Sequence, residues 1–334
     1  VGVFTLFLFQ MVFMDTTATI PTGGMAERWK FKSFIVYGFF ISMFVYPIFG
    51  NWVWGGGWLS QLGVNFGLGH GHVDFAGSSV VHEVGGVAAL VGAMVVGPRI
   101  GKYGKDGSVK TIPAHNIPMA IIGTFILAFG WFGFNPGSTL AGGDLRISVI
   151  AVNTMLASAS GAFIAALYMK AKTKKWDPGM MANGMLAGLV AITAPCAFVN
   201  SLSAVIIGAI AGLLVIWAAL FVEKKLKIDD PVGAFAVHGV NGFWGVISLG
   251  LFADGTYGDG WNGVPGTVRG LFYGDWKQFI AEVIGAVTCF VFVFVVMYLF
   301  FKICAKTSIG LRSDAADEIA GLDIPEMGVH GYVD

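Results

Sequence analysis

Two stretches of the chain repeat one pattern: DFAGSSVVHEVGG, which starts at Asp74, and DPVGAFAVHGVNG, which starts at Asp230. In each stretch a histidine follows the aspartate by eight residues, His82 in the first and His238 in the second, inside a Val-His-x-Val core. Eight residues of α-helix rise about 12 Å, so each aspartate should lie at a helix start about two turns from its histidine. The pattern therefore predicts two helices, each with a histidine inside it.

The composition indicates what surrounds these helices. Only 12% of the 334 residues are charged and the mean hydropathy is +0.75, whereas a soluble domain carries about 25% charged residues. Most of the surface must therefore face lipid. The formal net charge is zero, which gives no sign of a nucleic-acid partner. Cys196, Cys289 and Cys304 are odd in number and far apart, so they predict neither a disulfide nor a metal site.

Apolar runs recur along the chain, and a helix needs about 20 such residues to cross a bilayer. Nine runs meet this length: residues 1–24, 34–53, 76–97, 113–134, 147–169, 179–197, 201–222, 232–253 and 278–303. The last thirty residues are polar and acidic and are interpreted as a tail. The sequence thus predicts an all-α polytopic membrane protein with a transmembrane domain over residues 1–304 and a tail over residues 305–334.

The basic residues predict the orientation, because cytoplasmic loops are rich in Lys and Arg. If the connection after the first helix is cytoplasmic and the sides alternate, that side collects 17 of the 20 basic residues. Only Arg146, Arg269 and Lys277 fall on the other side. The first helix then runs from outside to inside, and the C-terminal tail is cytoplasmic.

This orientation makes the two Asp–His segments antiparallel. Asp74 falls at the outer surface, Asp230 falls at the inner surface, and both histidines fall near mid-membrane. Such an arrangement is typical of the inverted repeats in which transporters place a site near the midplane. The segments therefore predict an inverted-repeat helical bundle.

Histidine in a bilayer core is costly and usually functional, and three interpretations of His82 and His238 are open. They could be axial ligands of a haem between helices, a structural hydrogen-bonded pair, or the lining of a pore for a small polar solute. The segments around them are rich in Gly, Ala and Val, which suits close helix packing better than a cavity for a macrocycle. This composition favours a pore over a haem site.

Other polar residues in the predicted helices have both structural and functional interpretations. Asp15 lies within MDTTAT, where neighbouring hydroxyl groups predict a structural polar network rather than a proton relay. Glu83 points about 100° away from His82 around the helix, so we expect it to face another helix or a subunit contact. Glu282 is interpreted as structural. Asp74 could cap its helix start or act directly on a solute.

Aromatic residues gather near the predicted outer ends of helices, with one hydroxyl among them. They are Trp52, Trp54, Trp58, Phe132, Phe134 and Ser138. Most of these aromatic residues are explained by the interfacial belt of membrane proteins. An aromatic cup beside a hydroxyl can also recognise a small cation, since a ring face attracts it by about 0.5–2 kcal/mol.

These motifs resemble a known family. VDFAGSSVVHEVGG followed by GPR is similar to the signature of the ammonium transporter (Amt/Mep/Rh) family. The resemblance extends in the family's order to FQMVFMDTTATIPTGGMAERWKF, VWGGGWL, GWFGFNPGS, DDPVGAFAVHGVNGFWG and GLRSDAADEIAGLDIPEMGVHGY. It covers the whole chain and is nearest to the Amt/Mep branch.

The resemblance implies an architecture. Family members have eleven helices in an inverted repeat, with an outside N-terminus and three subunits that each hold a pore. The nine predicted helices correspond to the third through eleventh helices of the family, so two helices that normally contribute pore residues are expected to be missing. The opening on a valine inside an apolar run agrees with that expectation.

The resemblance also implies roles for individual positions. His82 and His238 match the twin histidines of the pore, where they would line the path and relay a proton. Phe13 and Phe134 match the phenyl gate, and Leu127 matches an apolar pore-lining position. The ammonium-recruitment site would comprise Trp54, Phe13, Ser138 and Asp74. The chain departs from the family at Gly233, where some members carry a second acidic residue, and at Glu83, where an uncharged residue is more usual.

The implied function is ammonium transport: an outer aromatic site recruits the cation, deprotonation follows, and ammonia passes the histidines. The alternative is an ammonium sensor that uses the same site with little flux, and a haem redox protein comes third. The resemblance implies no enzyme activity, no cofactor and no metal. It implies a homotrimer in the plasma membrane or bacterial inner membrane, and a PII-type signal protein at the cytoplasmic tail.

Overall fold

The structure, a computed structural model, describes residues 2–332 and contains nine long helices in that part of the chain. They are α1 (Val3–Gly24), α2 (Phe31–Trp54), α3 (Ser78–Val96), α4 (Ile117–Thr139), α5 (Arg146–Thr173), α6 (Pro178–Thr193), α7 (Ser201–Leu226), α8 (Phe235–Phe252) and α9 (Trp276–Lys306). All except α6 are long and apolar enough to cross a membrane, and α6 is an apolar helix of 16 residues. The chain is therefore an all-α, multi-pass membrane protein, and each predicted span overlaps one helix.

The connections gather at two ends of the bundle. The basic end comprises residues 25–30, 97–116, 174–177, 227–234 and 307–332. The vestibule end, named for a cavity described below, comprises residues 55–77, 140–145, 194–200 and 253–275. Contacts within each end support this division: Arg99 binds Asp229 at the basic end, and Arg146 donates to the Ala197 carbonyl at the vestibule end. Successive helices therefore alternate in direction, as the sequence predicted.

Side-chain caps explain where four of the helices begin. Asn116, Asp177, Asn200 and Asp275 each accept a hydrogen bond from a backbone N–H in the first turn of the helix that follows. The first backbone N–H groups of a helix have no partner within the helix, so a side-chain oxygen at this position stabilises the start. Proline follows within two residues of Asn116 and Asp177, where its fixed backbone angle suits a first turn.

An arginine cluster ties the basic end together. The fully buried Arg28 donates to the carbonyls of Gly97, Ala26 and Asp229. Burial lowers the pKa of Arg28 to about 10. The tail joins this cluster, because Arg312 donates to the Val96 carbonyl at 3.1 Å. The tail is therefore docked against the ends of the helices.

Helix α3 is the centre of the bundle, with 89% of its span buried compared with 11% for α4. It crosses α8 at Gly86 and Gly239, where a Cβ on Gly86 would overlap the backbone of Gly239. Small residues allow such close approach of membrane helices. Because each glycine follows a histidine closely in sequence, the crossing brings His82 beside His238.

The crossing predicts a large effect of a small substitution. Gly86→Ala should destabilise the protein by about 2 kcal/mol or more, because its methyl group meets backbone atoms that cannot rotate away. Thermal unfolding of the detergent-solubilised protein measures this. Gly123→Ala in α4 is the matched control, since nothing lies within 4 Å of the added carbon. Equal midpoints for the two variants would contradict the close crossing.

Candidate functional site

A cavity of about 670 Å³ opens at the vestibule end and is called the vestibule. Three residues of the predicted recruitment site line it: Phe13, Trp54 and Ser138. The rings of Phe13 and Trp54 meet edge to face with centroids 6.2 Å apart. The Ser138 hydroxyl donates to the Phe134 carbonyl at 2.7 Å, so its oxygen lone pairs can still accept an N–H. Aromatic rings beside a hydroxyl acceptor suit a small cation that donates hydrogen bonds.

Further residues of the vestibule were not found from the sequence. Phe75 and Trp261 form another aromatic wall, with ring centroids 6.1 Å apart. Gln10 and Tyr46 add a polar group, since the Tyr46 hydroxyl donates to the Gln10 Oε1 atom at 2.7 Å. Trp261 lies in the Gly-rich connection before α9. A tryptophan in such a loop was the sequence feature that could have pointed to its place in the vestibule.

Two phenyl rings lie below the vestibule. Phe13 from α1 and Phe134 from α4 stack with centroids 4.1 Å apart and planes 16° apart. This separation leaves no space for a solute between the rings. The two residues predicted to form the phenyl gate are therefore brought together, with their rings in contact.

The two histidines meet below the phenyl pair. The Nδ1 atoms of His82 and His238 lie 3.1 Å apart, at hydrogen-bond distance, and the rings are stacked at 5.2 Å. His82 is fully buried, stacks on Trp131 at 5.1 Å and lies 5.4 Å from Phe134. Its Nε2 atom is buried and has no hydrogen-bond partner among residues 2–332. One proton between the Nδ1 atoms makes one imidazole a donor and the other an acceptor.

This geometry does not fit axial ligation of a haem by the pair. An iron between two imidazoles would need one nitrogen on each side of a macrocycle. Here the facing nitrogens of His82 and His238 are already at hydrogen-bond distance. The space between the two rings has no room for a porphyrin plane.

The repeated aspartates act as helix caps at opposite ends of the bundle. Asp74 accepts backbone N–H bonds from four successive residues, Gly77 through Val80, and a hydroxyl bond from Ser79. Asp230 accepts backbone N–H bonds from Ala234 and Phe235. Each cap starts a π-helical turn that contains the histidine: Ser78–Glu83 and Phe235–Val240. The sequence repeat is thus matched by repeated, oppositely directed structure.

The carboxylate of Asp74 does not line the vestibule, because the residue is 1% exposed and both oxygens have partners. Of the two interpretations left open by the sequence, the geometry supports the cap. The backbone of Asp74 still touches the candidate site, since the Trp54 indole N–H donates to its carbonyl at 2.6 Å.

The remaining predicted positions have different outcomes. Glu83 is fully buried and meets the Cys289 thiol on α9, which confirms that it faces another helix. The polar network predicted around Asp15 is wrong. The neighbouring hydroxyl groups of Thr16 and Thr17 donate to backbone carbonyls one turn earlier and not to Asp15, and Asp15 is exposed. Leu127 is 51% exposed on α4, so its place along a pore stays a prediction. Gly233 adopts a positive φ of 74° in the turn before α8.

The chain is similar to known proteins over nearly its whole length. The model of the Ammonium Transporter Family matches residues 2–332. The ammonium transporter Amt2 of Archaeoglobus fulgidus is 49% identical over 99% of this chain and 71% of its own length. Ammonium transporter 1 member 1 of Solanum lycopersicum is 37% identical over 98% of this chain and 70% of its own length.

Solved structures give the same result. A sensor Amt protein superposes with a TM-score of 0.87 and 42% identity, over 96% of this chain and 76% of that protein. Mep2 of Candida albicans superposes with a TM-score of 0.81 and 30% identity, over 93% of this chain and 66% of that protein. Both superpositions cover more than nine-tenths of this chain.

Proposed function

The chain belongs to the ammonium transporter family, and from that premise we propose that it conducts ammonium along a path formed by the vestibule, the phenyl pair and the histidine pair. The order of the three features carries this proposal. Phe13 both lines the vestibule and stacks on Phe134, and Phe134 lies against His82. A solute that passes the phenyl rings therefore meets the histidines next.

Recruitment must distinguish ammonium from potassium, which is similar in size. Ammonium donates hydrogen bonds, and the Ser138 oxygen can accept one of them because its own hydrogen is used on the Phe134 carbonyl. The rings of Trp54 and Phe13 add a cation–π attraction of about 0.5–2 kcal/mol. Potassium gains the cation–π attraction but has no hydrogen to donate to Ser138.

The phenyl pair favours loss of a proton. Phe13 and Phe134 offer no polar atom to replace the hydration of a cation, and transfer of an unpaired charge into apolar surroundings is very costly. Neutral ammonia loses much less when it leaves water. We therefore propose that ammonium gives up its proton as it passes the phenyl pair, to the unpartnered Nε2 atom of His82 beside Phe134, and that the species beyond it is ammonia.

The histidine pair supplies polar contacts in this apolar path. The unpartnered Nε2 atom of His82 can form a hydrogen bond to a passing ammonia molecule. The hydrogen bond between the two Nδ1 atoms also supports proton exchange between the rings. Such a relay would return the proton to the path and make transport electrogenic.

Current measurement on proteoliposomes that contain the full chain tests the proposal. Ammonium and methylammonium pulses should give inward currents, and potassium pulses of equal concentration should give none. Protein-free liposomes are the control. Equal currents with potassium and ammonium would argue against selective recruitment, and the absence of both current and methylammonium uptake would argue against conduction.

A sensor is the second candidate, because the chain is 42% identical to a sensor Amt protein with a TM-score of 0.87. A sensor would bind ammonium at the same vestibule but carry little flux. Saturable ammonium binding without current in the same proteoliposomes would favour this candidate over the transporter.

The proposal extends to orientation and partners. The positive residues at the basic end favour a cytoplasmic location for that end and the tail, in the plasma membrane or bacterial inner membrane. The family resemblance supports a homotrimer and a PII-type signal protein that contacts the tail. Cross-linking in membranes tests the trimer, and retention of the detergent-solubilised protein on immobilised PII protein tests the partner.

A further inference from the structure

A cluster of buried polar side chains lies at the vestibule end, between the loop before α3 and the start of α9. His72 is its centre: its Nδ1 atom lies 2.6 Å from Glu282 Oε2, and its Nε2 atom lies 3.0 Å from Ser79 Oγ. Ser79 in turn donates to Asp74 Oδ2 at 2.7 Å. His72, Ser79 and Glu282 are fully buried, and Asp74 is 1% exposed. The cluster thus holds three ionisable groups away from water.

The positions of the hydrogens follow from counting donors. The Ser79 hydroxyl has one hydrogen, and Asp74 uses it, so the Ser79 oxygen must accept a hydrogen from His72 Nε2. Glu282 Oε1 already accepts from the Val73 backbone and from Gln278. One further proton must then lie between Glu282 Oε2 and His72 Nδ1, because two bare acceptors would repel each other at this distance.

Helix α9 is shaped to hold this imidazole. Gly285 lies one turn after Glu282, and a Cβ there would overlap the His72 ring. Burial acts to lower the pKa of His72, but the charge and hydrogen bond of Glu282 outweigh it and leave that pKa raised. The ring is therefore seated in a fitted space where Glu282 favours its protonated form.

The cluster is connected to the recruitment site through Asp74. The carboxylate of Asp74 caps the first turn of α3, which carries His82. Its backbone carbonyl accepts the Trp54 indole N–H. A change in the position of Asp74 would therefore move a wall of the vestibule and the start of the histidine helix together.

We propose that His72 and Glu282 form a proton-sharing pair that holds Asp74 in place, and through it the Trp54 wall of the recruitment site, and that limits the buried cluster to one net negative charge. This proposal rests on the proposed function of ammonium recruitment. With one proton in the pair, the charges of His72 and Glu282 cancel and only that of Asp74 remains. Without His72, two carboxylates share a buried space, and like charges so placed force one of them to take up a proton. All five partners of the Asp74 carboxylate are donors, so a proton on one of its oxygens would displace part of the cap.

The test compares His72→Gln with the double variant His72→Gln/Glu282→Gln in proteoliposome currents. We expect His72→Gln to raise the KM for ammonium about tenfold, as for a buried polar group left without its partner, with little change in the maximal current. The double variant removes the excess carboxylate and should recover most of that loss. His115→Gln is the matched control, because His115 is exposed at the basic end and should leave the KM unchanged.

Each outcome decides the proposal. A double variant as impaired as His72→Gln, or an unchanged KM in His72→Gln, would overturn it. If His72→Gln does not accumulate in membranes, recovery of accumulation in the double variant is the supporting result, and lack of recovery is the opposing one. If the unsubstituted protein shows neither ammonium current nor methylammonium uptake, the proposed function fails by itself. The proton-sharing pair is then tested by thermal unfolding, in which the double variant should unfold at a higher temperature than His72→Gln.

Discussion

Replacement of both His82 and His238 with leucine is expected to abolish ammonium current and methylammonium uptake together, with a loss of at least about 100-fold. Leucine offers neither a donor nor an acceptor, so ammonia would cross this part of the path without polar contacts. The paired Nδ1 atoms, 3.1 Å apart, would also be lost as a route for a proton. Paired recordings of current and labelled methylammonium uptake measure both effects.

The control for this double variant is His115→Leu, which removes an exposed histidine at the basic end. The double variant should retain its fold, because leucine roughly conserves the volume of an imidazole in a packed interior. Thermal unfolding verifies this. Unchanged transport in the folded double variant would contradict the proposal that ammonia passes along the two histidines. Uptake without current would reject only the proton relay.

The second large effect is expected from Asp74→Asn. An asparagine side chain has one acceptor oxygen, and its amide group would face backbone N–H groups that now donate to Asp74 Oδ2. Buried donors without partners cost about 1–3 kcal/mol each, so we expect a loss of about 3 kcal/mol or more. Thermal unfolding in detergent measures it.

Asp230→Asn is the matched comparison because Asp230 occupies the equivalent position of the repeat. It caps only two backbone N–H groups, those of Ala234 and Phe235. We expect it to cost about 1 kcal/mol. A larger loss at Asp230 than at Asp74 would contradict the assignment of Asp74 as the stronger cap.

Much of the fold could be predicted because a bilayer imposes simple rules. Each spanning helix must satisfy its own backbone and present apolar side chains to lipid, so hydropathy located the nine helices. The distribution of Lys and Arg predicted their alternating directions. The Asp–His spacing predicted an aspartate at the start and a histidine in the interior of both α3 and α8, since both follow from the rise of a single helix.

Contacts between distant segments were harder to predict. Phe13 and Phe134 are separated by most of four helices, and the motifs of the family resemblance, rather than any local pattern, brought them together. Asp15 was misjudged because local hydroxyl groups prefer backbone carbonyls one turn earlier. The pairing of His72 with Glu282 gave no signal, because one residue lies in an irregular loop and the other in a helix 210 residues later.

The contact between Gly86 and Gly239 fixes the separation of α3 and α8 beside the histidine pair. Since the two helices touch through their main chains there, the distance between the rings does not depend on the size of neighbouring side chains. Substitutions elsewhere in α3 and α8 can then change the side chains along the proposed path without widening it at the histidines. Adaptation to a larger or more polar solute would then have to begin at the vestibule and the phenyl pair, where side chains alone set the aperture.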